Sequence, residues 1–425
     1  MGCPTSTDYT SAVLRKVPTI AMMLAKPLEL PCGAVLPNRV AKAAMSEQLA
    51  TLSGSPTRAH LRLYEKWARS GCGLVITGNV IVDRGAVSEP RQVVVEDDRD
   101  IEVLSAWAVA ARSGGAHCWM QLNHAGRQIP RTLSTRPVAP SAQEMTSLRG
   151  GFARPRPLTA SEIDALIGRF ARSAQIAVKA GFDGVQIHAA HGYLISQFLS
   201  PLTNRRDDAW GGDPARRRRF LLAVVEAVRG AVGAGVAVAV KLNSSDFQRG
   251  GFDEGESMAV VDSLGDVGVD LLEISGGTFE ATAMMTGAPE STRTREAYFL
   301  DYAERVRARA RMPLMLTGGL RSAAAMETAV RSGAIDVCGL GRPLVLEPDL
   351  AQRLLAGEGA VSTASPRRVR IPRLAGAGET IWYTEQIHRI GRGRSPRPGR
   401  SAEAAMAKYL LASTCDALAR RAVVR

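Results

Sequence analysis

The chain has 425 residues, 45% hydrophobic and 22% charged, which is the composition of a globular protein with a large core and argues against disorder. Its 54 basic against 41 acidic side chains give a formal charge of +13, which suits anionic small molecules; nucleic acid would suit it too, but no nucleic-acid motif accompanies the charge. Six cysteines, at 3, 32, 72, 118, 338 and 415, form no CxxC pair or cluster, which argues against zinc or iron–sulfur ligation and for a reducing cytoplasm.

At the start, Met1-Gly2-Cys3-Pro4-Thr5-Ser6 fits a myristoylation pattern, but Pro4 and the polar run after it read as an irregular extension over residues 1–25, with Met22 or Met23 an alternative start. The apolar stretch after Arg15 and Lys16 is too short for a secretory signal, and no run reaches the roughly 18 residues that span a bilayer. A soluble, cytoplasmic protein is expected. From there short apolar runs alternate with longer helical patterns, at 39–44, 73–77, 116–122, 184–188, 236–242, 269–274, 313–317 and 335–340. Eight strands with helices between them predict an α/β fold, a single (β/α)8 barrel over residues 26–356, and no GxGxxG opens a helix to favour an open dinucleotide-binding sheet. Thr159 and Glu162 are spaced as a capping box before Ile163, Leu166, Ile167 and Phe170, and that helix stops at Gly181. Asp213-Pro214 starts another. The connection 123–158, rich in Arg, Pro, Ser and Gly, is long for a loop and predicts a cover over the barrel mouth. Residues 357–425 form a basic tail with helical stretches near 380–390 and 401–422; Ile381, Trp382, Tyr383, Ile387 and Ile390 on the first, and Leu410, Leu411 and Leu418 on the second, are expected to dock on the barrel or on a partner subunit.

In such a barrel reactive groups sit at the C-terminal strand ends. These ends read Lys42-Ala43-Ala44-Met45-Ser46-Glu47, Gln121-Leu122-Asn123-His124, His188-Ala189-Ala190-His191-Gly192-Tyr193, Lys241-Leu242-Asn243, Thr317-Gly318-Gly319 and Gly339-Leu340-Gly341-Arg342-Pro343. The stretch HAAHGYLISQFLSP, followed by Asn204, Arg206, Asp208 and Trp210-Gly211-Gly212, resembles the old yellow enzyme family of NAD(P)H:flavin ene-reductases, in the form without an iron–sulfur cluster. The opening PLELPCGAVLPNRVAKAAMSE and the closing GGLRS and GLGRPLVLEPDL match the same family in order, over roughly residues 26–350.

That resemblance implies one non-covalent FMN, with NADH or NADPH as reductant. Gly318, Gly319, Gly341 and Arg342 would hold its phosphate by backbone N–H groups and a short helix N-terminus. Gln121 would meet the pyrimidine edge and Ser46 the C4 carbonyl, and Ala44, Met45 and Asn79 would also bind the cofactor. Lys241 would lie beside N1, where many relatives carry Arg. His188 and His191 would bind a substrate carbonyl oxygen, and Tyr193 would protonate the α-carbon opposite a hydride from flavin N5. A lone strand histidine is ordinarily a satisfied core residue; three matching groups within six residues favour a site. The implied reaction reduces the activated C=C bond of α,β-unsaturated carbonyl compounds. Two alternatives use the same barrel: a metal-dependent hydrolase built on His188 and His191, for which no third ligand is evident, and a non-catalytic phosphate-ligand binder that keeps only the glycines. No metal and no nucleic-acid partner are expected, and a homo-oligomer is compatible. Asn123, where some relatives carry Trp, and Gln48, where others place an aromatic residue, should change the pocket's size and polarity.

Overall fold

In the computed structural model of the protein, which describes residues 22–145, 150–278, 299–365 and 375–423, all eight apolar runs form strands. They are β1 (Val40–Lys42), β2 (Leu74–Ile81), β3 (His117–Asn123), β4 (Gly184–Ala189), β5 (Ala237–Asn243), β6 (Leu271–Ser275), β7 (Leu314–Thr317) and β8 (Val337–Leu340). Each pairs in parallel with the next, and β8 pairs with β1, so the sheet closes. The fold is the expected (β/α)8 barrel. The Met1 to Ser6 pattern lies outside the described residues.

Alternation along the strands sorts side chains into two layers. Ala41, Leu74, Ile76, Trp119, Ala237, Ala239, Leu271, Met315 and Val337 fill the lower interior. A small hairpin, Leu28–Glu29 against Val35–Leu36, closes the floor by adding Leu28, Leu30 and Leu36 to this cluster. Leu24, just before it, is fully buried in the outer core. Outward-facing residues such as Val75, Leu122, Ile187 and Val240 pack beneath the helices.

Those helices are α1 (Arg58–Ala68), α2 (Ile101–Arg112), α3 (Ala160–Lys179), α4 (Pro214–Val232), α5 (Glu254–Asp266), α6 (Leu300–Arg307), α7 (Ala323–Arg331) and α8 (Leu350–Leu355). Thr159 and Glu162 cap α3 reciprocally, Asp213 accepts from Arg216 N–H at the start of α4, and each cap contributes about 1 kcal/mol. The connection after β3 lies on the strands' C-terminal side. There Arg127 donates to the carbonyls of Gln143 and Glu144 (3.1 Å each), and Arg206 reaches those of Pro140 and Leu158.

The tail forms α9 (Ala375–Gly391) and α10 (Ala402–Val423) and docks on this chain's own barrel. Trp382 is fully buried and donates to Arg400 O (2.8 Å); Tyr383, Ile387 and Ile390 are buried with it. The leucine face expected on α10 does not dock. Leu410, Leu411 and Leu418 are 54%, 73% and 63% exposed, and the helix instead buries Ala402, Ala405, Met406 and Ala417. Polar anchors set this rotation: Arg91 binds Asp416 through two bonds (2.6 and 2.8 Å), and Arg420 donates to Leu52 O and Pro90 O (2.6 and 3.1 Å).

Candidate active site

β4 delivers His188 to the barrel interior, and the chain then turns sharply. His191 and Gly192 have φ of 62° and 75°, in the left-handed region. A Cβ on Gly192 would lie 2.3 Å from Gln128 Nε2, whose amide donates to His191 O (2.9 Å), so the turn requires glycine twice over. The result gathers three rings edge to face in one corner. The His188 centroid is 5.0 Å from those of both His191 and Tyr193, at interplanar angles of 79° and 80°.

The hydrogen bonds assign protons. Ala190 N–H donates to His188 Nδ1 (3.2 Å), which places the neutral ring's proton on Nε2. The His191 backbone N–H donates to Asn243 Oδ1 (3.2 Å), and its Nε2 lies 2.8 Å from Ser275 Oγ, which fixes the ring's orientation. Burial, then the neighbouring His191 and Lys241, push His188 well below the ordinary imidazole range; burial and Lys241 do the same to His191. Both are therefore neutral N–H donors near pH 7. Burial, reinforced by the Glu89 charge, raises the Tyr193 phenol, which keeps its proton and accepts from Asn79 Nδ2 (3.3 Å). Two neutral donors and a protonated phenol can hold an oxygen that gains negative charge and deliver H⁺ beside it.

Beside this corner runs a continuous polar chain. Gln121 Nε2 donates to Gln186 Oε1 (2.7 Å), Gln186 Nε2 to Glu273 Oε2 (2.8 Å), and Lys241 Nζ lies 2.8 Å from Glu273 Oε1. All four side chains are buried. Strand register puts Lys241 beside both His188 and Glu273, so its charge is shared with a carboxylate. Glu273 and Gln186 were not singled out in the sequence, although a carboxylate inside Leu271-Leu272-Glu273-Ile274 is a visible signal.

At the rim, Ser46 Oγ donates to Glu89, which also accepts from Gln48 Nε2 (2.8 Å). Ser46 has one proton, so to donate to another carbonyl its hydroxyl must turn from Glu89. Met45 Sδ would lie 3.6 Å from a Cβ on Gly341, which joins the loop after β1 to the glycine turn after β8. Gly318 and Gly319 end β7 with φ of 142° and 76°, and Gly341 precedes the short helix Arg342–Leu346. The Arg342 guanidinium itself turns to Glu379 on α9 (2.7 Å), which leaves its backbone, not its side chain, facing the glycine turn.

Two groups mark where a ligand belongs. The Asn123 amide is fully buried, yet neither its nitrogen nor its oxygen has a hydrogen-bond partner among the described residues, and Thr317 Oγ1 is in the same condition. Gln121 pairs in register with Gln186 and Leu122 with Ile187, so Asn123 and His188 take the next positions of adjacent strands. Leaving such atoms unpaired costs about 1–3 kcal/mol each. A flat heterocycle with carbonyl and N–H edges and a phosphate fits this set of amides, hydroxyls and turn glycines. Among the described residues no cluster of three or more His, Cys, Asp or Glu side chains could hold a metal ion.

Comparison with known proteins agrees with this geometry. Residues 23–359 match the model of the NADH:flavin oxidoreductase / NADH oxidase family. The NADH-dependent flavin oxidoreductase iliE of Hypocrea jecorina is 39% identical over 355 residues, covering 77% of this chain and 88% of that protein. Its namesake from Neonectria sp. is 38% identical over 76% of this chain, and there the chain spans about half of the relative's length, 46%. Among solved structures, the old yellow enzyme homologue from Zymomonas mobilis superposes with a TM-score of 0.68 at 26% identity, over 80% of this chain and 94% of that one. With its barrel, its glycine turns and its His188, His191 and Tyr193 corner, the chain belongs to the NADH:flavin oxidoreductase / NADH oxidase family, old yellow enzyme-like oxidoreductases that use FMN with NAD(P)H as reductant.

Proposed function

We propose that this enzyme reduces the activated C=C bond of α,β-unsaturated carbonyl compounds, and the observation that carries this reading is the convergence of His188, His191 and Tyr193. FMN, held non-covalently, would supply the hydride for the β-carbon. The backbone at Gly318, Gly319, Gly341 and Arg342 would take its phosphate, and Gln121, Asn79, Ser46, Ala44, Met45 and Lys241 its ring. The protein's own part is electrostatic and protonic. His188 Nε2–H and the His191 imidazole bind the substrate carbonyl oxygen and strengthen as it gains charge. Because both rings are neutral, they stabilise the enolate without transferring a proton to oxygen. Tyr193, kept protonated by burial and oriented by Asn79, delivers H⁺ to the α-carbon. The buried Gln121, Gln186, Glu273 and Lys241 chain keeps the floor rigid and dry.

Purified protein should be yellow, bleach with NADH or NADPH without oxygen, and regain its colour when 2-cyclohexen-1-one is added, with cyclohexanone as product. Bleached enzyme that no enone reoxidises would refute the ene-reductase reading.

A further inference from the structure

Glu89 has no part in the steps above, yet it occupies the site's rim. Its carboxylate accepts from Ser46 and Gln48, and its charge acts on Tyr193. Ser46, Gln48 and Gln92 fill three of the roughly four acceptor positions of a carboxylate, and the side chain is only partly buried, so acceptor capacity for one further donor remains. Its place is set from outside the family-matched span of 23–359, by α10. Arg91, two residues on, is gripped by Asp416 (2.6 and 2.8 Å), Arg420 holds Pro90 O, and Tyr409 from the same helix adjoins Gln48 and Glu89. Tail-derived contacts at Pro90, Arg91 and Gln48 thus surround one rim residue.

We propose that Glu89 is a specificity-determining residue, a carboxylate fixed at the mouth by the C-terminal helix to engage a hydrogen-bond donor on the substrate, a hydroxyl or protonated amine, beside Tyr193. The proposal rests on the enone reading above. A substrate lacking the donor leaves nothing to offset the carboxylate's lost hydration, whereas a substrate bearing one forms a charge-assisted bond. Burial raises the Glu89 carboxyl to about 6, so the group is largely ionised at pH 7 with Glu47, Tyr193 and Tyr409 as its titratable neighbours.

The test compares 2-cyclohexen-1-one with 4-hydroxy-2-cyclohexen-1-one in wild type, Glu89→Gln and Asp416→Asn holoenzyme. Binding of the non-reducible cyclohexanone and 4-aminocyclohexanone is measured alongside by calorimetry. Wild type should favour the donor-bearing member of each pair by about tenfold, through KM and not kcat, the low end of what a charge-assisted hydrogen bond supplies. Glu89→Gln should bring both ratios close to one, and Asp416→Asn should lower them part of the way with FMN content retained. Wild type that reduces both enones without preference, or Glu89→Gln that keeps the preference, overturns the proposal. Wild type that reduces neither enone overturns the ene-reductase reading instead.

Discussion

Replacing Lys241 with methionine takes away the ammonium 2.8 Å from Glu273, a carboxylate with 0% exposure. Gln186 still donates to the other oxygen, so one hydrogen bond of 2.8 Å survives. At this separation the attraction is about 6 kcal/mol at an effective dielectric of 20, and removing one partner of a buried pair costs about 3–5 kcal/mol because the other charge stays uncompensated. That is a large share of the roughly 5–15 kcal/mol that holds a domain folded. Lys241→Met and Glu273→Gln should each destabilise by about that amount, while the double variant, with no charge left and the Gln186 contact conserved, should lie within about 1 kcal/mol of wild type. Urea unfolding followed by circular dichroism, on FMN-free protein, completes the double-mutant cycle. A single Lys241→Met loss below about 1 kcal/mol, or a double variant no better than the singles, would refute the reasoning. FMN affinity of the double variant separates the lysine's two roles: if its charge also serves the flavin, affinity stays low although stability has recovered.

Removal of the His191 ring should slow enone reduction by about 10² to 10³ and flavin reduction by NAD(P)H much less. Stopped-flow traces in which both half-reactions fall equally would make the residue structural. Burial lowers the fully packed His60 to about 4 and lowers His124 as well, whereas the unfolded chain protonates such rings near 6.5. Below 6.5 the unfolded state binds more protons, so stability should fall as pH drops from 6.5 towards 4 and level off above 7. Equal denaturation midpoints at pH 7.5 and 5 would contradict this. Trp382→Ala should cost about 3–5 kcal/mol, and truncation after residue 357 should lower the melting temperature and change enone KM, since α10 reaches the mouth. A truncated enzyme with unchanged melting temperature and kinetics would show the tail to be dispensable.

The barrel was legible in the sequence because eight β-rich runs alternate with helices whose starts and stops are local chemistry: Thr159 with Glu162, Asp213 with Pro214, Gly181 past the end of α3. Strand-end residues then fell into one site because a closed parallel barrel carries every strand's C-terminus to the same face. Asn79, Gln121, His188, His191, Tyr193 and Lys241 share that mouth for this reason. What the chain does far along its own length was not legible. Leu410, Leu411 and Leu418 look like a docking face, yet α10 carries small and polar residues on its opposite side, and partners at Arg91, Leu52 and Pro90, more than 300 residues away, decided which side turned inward. Lys241 and Arg342 were identified as cations, but their pairing with Glu273 and Glu379 depends on register and on the tail's path. Glu89 gave no periodic signal at all, since it lies in a loop, and only tertiary contact with Ser46, Gln48 and the C-terminal helix gives it a place at the mouth. Local composition determines which elements form; long-range polar contacts, whose energies are realised only when the chain has closed on itself, determine how those elements face one another.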